Sequence, residues 1–196
     1  TNLVWGSKFT KTIFGHRGIA GEINVDITTE YASKLGAAYG AILKEGSKVG
    51  ISCDDSSAAK MIKISFISGL LSSGTEIFDF GNMLLPITRS AVRFYKADGG
   101  IHISTSTYDS TRLFIDFLDK NGCNIDRALE RKIESAFIRE DFKRCEGECI
   151  KTVKTFSDYS QFYLRSIING IKSEKIKYRI SLNTHSNFIA ATLKQL

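Results

Sequence analysis

The sequence predicts an α/β fold: a three-layer α/β/α domain around a mixed sheet, followed by an incomplete second α/β domain. Three observations carry this. Short apolar runs with strand character alternate with segments whose apolar residues recur every three or four positions. Gly46, Gly74 and Pro86 punctuate the changeovers. The last two strand-like runs of the first domain are separated by only a few polar residues, too few for a crossover, so that pair runs antiparallel.

In "DITTEYASKLGAAYGAILKEG" (26–46), Tyr31, Leu35, Ala38 and Ile42 fall at helical spacing, with Thr28 placed to cap the first turn. "KVGIS" (48–52) reads as a short buried strand. "DSSAAKMIKISFISGLLSSG" (55–74) forms the next helix, capped by Asp55 or Ser56 and stopped by Gly74. "TEIFDFG" (75–81) is a strand, and "PITRSAVRFYKAD" (86–98) a helix with Pro86 in its first turn. "GGIHIST" (99–105) is a strand that opens into a hydroxyl-rich loop. "TRLFIDFLD" (111–119) is its antiparallel neighbour, and a helix runs from about Asp126 to Phe137. Ligands of α/β sheets gather beyond the carboxyl ends of the strands, so the loops after "KVGIS", "TEIFDFG" and "GGIHIST" are expected to share one edge.

At "REDFKRCEGECIKT" (139–152) the pattern turns irregular and charged, which sets the expected division: a first domain over 1–145 and a second over 146–196. The second holds a helix in "FSDYSQFYLRSIINGI", with Tyr159, Phe162, Tyr163 and Ile167 as its apolar stripe. A strand in "KYRISLN" and a helix in "NFIAATLKQL" follow. One strand and two helices are too few for a complete α/β domain.

The composition excludes several classes of function. No apolar run is long enough to cross a bilayer. The chain opens "TNLVWGSKFTKTIFG", with neither an initiator Met nor a signal-peptide pattern, and reads as an excised domain. Of the four cysteines only Cys145 and Cys149 are close, and "CEGEC" lacks the spacing of a zinc knuckle; reduced thiols and a cytoplasmic location are expected. The net charge of +6 is spread along the chain without interleaved arginines and aromatics, which points away from nucleic acid. No metal-ligand cluster is visible in the sequence.

The residues of "GGIHISTSTYD" (99–109) carry a resemblance. This segment, with "LVWGSKFTKTIFGHRGIAGEINVDIT", "SGLLSSGTEIFDFG" and "RALERKIESAFIREDFKR", resembles the first domain of the α-D-phosphohexomutases and the start of their second. The likeness is strongest to the mutase-like module attached to sugar-nucleotidyltransferase domains. It implies hexose phosphates as ligands, a phosphoserine as carrier of the phosphoryl group, Mg²⁺ held by an acidic triplet of the second domain, and a nucleotidyltransferase fused upstream. The acidic triplet is not found before Leu196, so metal ligands are expected to be lacking from this stretch.

Laid on the family's Thr-Ala-Ser-His-Asn-Pro loop, the nucleophile position falls on Ser106, while Thr107, Tyr108 and Asp109 replace His-Asn-Pro. The family's Phe-Gly-Thr-Ser-Gly-Ile-Arg-Gly becomes "FGHRGIAG", with Ala20 at the arginine position. Its Gly-Arg-Asp-Thr-Arg becomes "SCDDS", so Cys53 and Ser56 stand where arginines are expected, and Asp54 is kept. A phosphoserine carries nearly two negative charges. Asp109 adds another, and three cationic positions that would offset them are gone. His16 and Arg17, in a glycine-flanked turn where backbone amides approach an anion, are expected to bind phosphate, together with Thr107 and Arg112. His102, within a strand, reads as a structural residue, and Asp54 and Asp55 as helix caps. Two readings follow: a portion of a phosphohexomutase, or a degenerate sugar-phosphate-binding or regulatory module of a fused nucleotidyltransferase.

Overall fold

The computed structural model describes residues 12–16, 18–140 and 142–170, with single positions at 181, 190 and 194. The strand expected in "KYRISLN" and the last helix lie outside the described residues, apart from Ser181, Ala190 and Lys194. In chain order the elements are β1 (Ile19–Glu22), α1 (Thr29–Ile42), β2 (Lys48–Cys53), α2 (Ser57–Ser72), β3 (Glu76–Asn82) and α3 (Leu85–Phe94). Then follow β4 (Gly99–Thr105), β5 (Arg112–Asp119), α4 (Arg127–Arg139), a 3-10 turn (Gly147–Cys149), β6 (Val153–Thr155) and α5 (Tyr159–Gly170).

Among the described residues, six strands form one sheet in the order β1-β5-β4-β2-β3-β6. β2 pairs in parallel with β3 and β4, and β3 with β6. β5 is antiparallel to both β4 and β1, so it alone runs against the other five. The mixed sheet expected from the short β4–β5 connection is therefore present. β1 and β6 were not anticipated from the sequence.

Alternation along the strands separates two cores. Val49, Ile51 and Cys53 of β2, Ile101 and Ile103 of β4, and Leu113, Ile115 and Phe117 of β5 face α1, α2 and α4. On the other face Phe78 and Phe80 of β3 and Leu118 of β5 meet α3 and α5. The helices thus lie on both faces, completing the α/β/α layers. Phe117 is the aromatic centre of the larger core, with the rings of Phe14, Tyr39 and Phe66 at centroid distances of 5.1, 5.3 and 6.0 Å.

The caps follow the sequence logic. Thr28 accepts from the backbone N–H of Tyr31, Ser56 from that of Ala59 and Asp126 from that of Leu129, each satisfying a first-turn donor. On α5 the apolar stripe differs from the expected one. Tyr159 and Leu164 are the buried residues and Tyr163 packs half-buried on the smaller core, whereas Phe162 touches Phe94 of α3 yet stays 52% exposed.

Candidate functional site

The carboxyl ends of β2 and β4 lie side by side, since Cys53 registers with Ile103 and the N–H of Asp54 donates to the Ile103 carbonyl at 3.0 Å. Where the chain leaves β2, the Asp54 side chain does two things. Oδ1 accepts from the N–H of Ser56 at 2.9 Å, which shapes the entry into α2. Oδ2 accepts from both the N–H and the hydroxyl of Thr105, at 2.6 and 2.7 Å. Partial burial works against the charged carboxylate, but the bonds from Ser56 and Thr105 outweigh it and hold the pKa below the ordinary value. Asp54 is thus more than the helix-capping residue the sequence suggested. It clamps the last residue of β4 and with it the root of the hydroxyl loop.

Beyond Thr105 the loop is closed by its own bonds. The N–H of Ser106 donates to the Arg112 carbonyl at 2.9 Å, and the N–H of Arg112 to the Asp109 carbonyl at 3.1 Å. Ser106 Oγ accepts from the N–H groups of Tyr108 and Asp109, both at 3.3 Å. Its hydroxyl therefore sits at the focus of two backbone donors. Asp109 Oδ1 accepts from the N–H and hydroxyl of Thr111, at 3.0 and 2.5 Å. Those bonds from Thr111 hold its carboxyl below the usual range, and the Arg112 guanidinium adds to the effect. Thr107 and Arg112 are exposed on this loop and its far stem. β1 borders the same edge, where the N–H of Ile23 donates to the Thr111 carbonyl at 2.8 Å.

The structure therefore brings together three of the residues singled out in the sequence: Ser106, Thr107 and Arg112. His16 is placed elsewhere. Its turn, closed by the Gly15 N–H donating to the Gly18 carbonyl, precedes β1 and lies against Ile115 and Asp116 of β5. Ile13 and Phe14 just before it donate to Glu134 Oε1 of α4. Along β5, Asp116 is four residues from Arg112, a Cα separation of about 13 Å in an extended strand. His16 is exposed there. Arg17 lies outside the described residues.

The three positions that lack the expected arginines have different surroundings. Ala20 is exposed on β1, and Ser56 caps α2. Cys53 is fully buried, its Sγ 3.5 Å from Asn82 Oδ1, and burial pushes the thiol up to about 11, so it brings no charge to the loop. His102 is buried on the α3 face. Its Nδ1 lies 2.9 Å from Ser52 Oγ and 3.3 Å from Thr88 Oγ1, which joins β4 to β2 and α3 as a structural residue should. Among the described residues no group of three or more His, Cys, Asp or Glu side chains could hold a metal ion. The described residues thus offer no ligand set that fits Mg²⁺.

A mixed α/β/α sheet with a hydroxyl loop at its carboxyl edge defines the class of protein. The match to the family "Phosphoglucomutase/phosphomannomutase, alpha/beta/alpha domain I" spans residues 11–144. The chain belongs to this phosphoglucomutase/phosphomannomutase family. It is 34% identical over 171 residues to a phosphoglucomutase/phosphomannomutase of Thermococcus kodakarensis, covering 85% of this chain and 37% of that protein. It is 32% identical over 166 residues to a phosphoglucosamine/phosphogalactosamine mutase of Sulfurisphaera tokodaii, covering 84% and 36%. A crystal structure of a phosphoglucomutase/phosphomannomutase family protein from Burkholderia thailandensis shares the fold at a TM-score of 0.72 and 17% identity, covering 84% of this chain and 37% of that one. The chain spans little more than a third of the length of the curated relatives it matches.

Proposed function

We propose that this chain is the hexose-phosphate-binding first domain of a phosphohexomutase-type protein, and that phosphoryl transfer at Ser106 is weak or lost. The observation that carries the binding role is the Ser106 loop. It stands at the carboxyl edge of the sheet, with two backbone N–H groups converging on one oxygen and Arg112 at its stem. With both N–H groups spent on Ser106 Oγ, the Ser106 hydroxyl proton and the Arg112 guanidinium are the donors the loop turns to an anion. What argues against transfer is charge. The transferred group needs cationic support, yet Asp109 is held ionised three residues away and Cys53, Ser56 and Ala20 supply none.

The test is intact-mass analysis of the full-length protein after incubation with glucose 1-phosphate, Mg²⁺ and a hexose bisphosphate. Binding of glucose 1-phosphate without covalent phosphate on Ser106, and without isomerisation, is expected. Stoichiometric phosphate on Ser106 would overturn the inactive half of the reading.

A catalytically active mutase is the second reading, favoured by the position of Ser106 directly after β4 and by relatives named as mutases at above 30% identity. The resemblance to fused modules adds a regulatory role toward an upstream nucleotidyltransferase and a cytoplasmic setting. If that role holds, deleting this domain alters the transferase's kinetics or assembly, and unchanged behaviour counts against it. No described helix is long and apolar enough to cross a membrane.

A further inference from the structure

Six of the seven tyrosines fall in the described residues, and five of these are buried or half-buried. Tyr31 packs on Phe137, Tyr39 on Phe117, Tyr95 on Phe80 and Phe156, and Tyr159 on Phe94, while Tyr163 lies against the smaller core. Tyr108 is the exception. It is 100% exposed, and its ring meets no other ring among the described residues. A lone exposed apolar residue is ordinary on a protein surface. Tyr108 differs because of what holds it and where it stands.

Its backbone is pinned on both sides. Its own N–H donates to Ser106 Oγ, the next N–H does the same, and Arg112 and Ser106 close the loop stem. Asp54 fixes the root through Thr105. The ring is therefore carried on ordered backbone two residues from the candidate anion-binding hydroxyl. A phenol has only two side-chain torsions to lose and offers a large flat face, so it gains contact area at low entropic cost. The other loop side chains, Thr107, Asp109 and Ser110, are small and polar and offer no such face. A hexose phosphate carries an anion at one end and, on its pyranose ring, a face of C–H groups. The loop carries a feature to match each, the Ser106 hydroxyl and the Tyr108 ring, two residues apart.

We infer that Tyr108 is a specificity-determining residue, its ring stacking on the pyranose face of a hexose phosphate whose phosphate lies at the Ser106 loop. This rests on the hexose-phosphate reading above and adds to it a means of telling a sugar phosphate from a phosphate without a ring. No covalent step is involved.

The experiment is calorimetric titration of the full-length protein and its Y108A, Y108F and Y108W variants with glucose 1-phosphate, glycerol 3-phosphate and inorganic phosphate. Because the side chain touches no core, the substitutions leave the fold intact, which the melting temperature checks. Y108A is expected to weaken glucose 1-phosphate roughly five- to tenfold while leaving the two ring-less ligands within about twofold; Y108F and Y108W keep the sugar affinity. Equal affinity of Y108A and the parent for glucose 1-phosphate overturns the inference while leaving the hexose-phosphate reading standing. An equal loss for all three ligands also overturns it, since the ring would then act through the loop rather than on the sugar. If the unaltered protein binds phosphate but gains nothing from the sugar, the hexose-phosphate reading falls and takes the inference with it.

Discussion

One carboxylate oxygen of Asp54 receives both the amide and the hydroxyl of Thr105, while the other receives the amide of Ser56. Asparagine at this position keeps an acceptor for only one side and turns an –NH₂ toward the other, where a donor already points whichever way the amide is turned. Asp54→Asn is therefore expected to cost about 1–3 kcal/mol in chemical denaturation, the range for hydrogen bonds to a charged group. Amide exchange at Thr105 and Ser106 should rise with it. The pH dependence has a fixed sign. The folded pKa of Asp54 lies below its unfolded value near 3.8, so its contribution is fully present above that value and is lost as pH falls through the folded pKa. The variant should lose that part of the acid sensitivity. An unchanged acid limb would show that the clamp contributes nothing. The separation of 51 positions from Asp54 to Thr105 explains why the sequence showed a capping residue and hid its second role. Local spacing names first-turn donors, and only the parallel register of β2 on β4 brings the distant strand end into reach.

At the scale of elements, α1 and α2 approach closely because glycines face each other's backbone. A Cβ on Gly36 would stand 2.4 Å from the Phe66 carbonyl oxygen, and one on Gly69 would stand 2.0 Å from that of Ser33. Helix propensity alone favours alanine at both sites by about 1 kcal/mol. The obstacle is backbone of the partner helix, which cannot rotate away as a side chain can, so sterics win. Gly69→Ala and Gly36→Ala should each destabilise by about 1–3 kcal/mol through forced separation of the helices. Gly147→Ala, with nothing within 4 Å of its Cβ, should stay within about 0.5 kcal/mol. Urea titrations of the three variants compare them directly, and a stabilised Gly69→Ala would refute the close approach. The strongly patterned elements were legible in the sequence: α1 and α2 fall within the expected segments, α3 starts one residue before its segment, α4 ends two residues beyond, and β2 to β5 match to within a residue or so. β1 and β6 were not. "IAGE" has only two inward residues, one of them a glycine, and "VKT" is exposed throughout. Neither carries enough alternation to announce itself, and each is defined by a partner far along the chain.

For the whole molecule, the expected division at 145/146 meets a sheet that continues past it. Val153, Lys154 and Thr155 pair with Ile77, Phe78 and Asp79. Phe156 packs on Phe78 and Tyr95, and the Tyr159 hydroxyl lies 2.8 Å from Ser90 Oγ. Residues assigned by sequence to the second domain thus cover the α3 face of the first. A chain ending at 145 is expected to melt about 5–10 °C below one ending at 170, because it uncovers this aromatic cluster. Equal melting temperatures would show that the later segment only rests on the sheet.

The site was readable in part for the same reason. The Ser106 loop follows a strand in an α/β order, so its edge could be foreseen. The separation of the His16 turn from it depends on how β1 registers with β5, a long-range pairing that no local pattern encodes. That register, with β6 at the opposite side, has one more outcome. Among the described residues the sheet's two outer strands are its shortest, four and three residues long against six to eight inside, and Lys154 sits in the middle of the shorter one. Brief, charged borders make poor templates for another strand, so copies of this domain should resist zipping together into extended ribbons even when crowded.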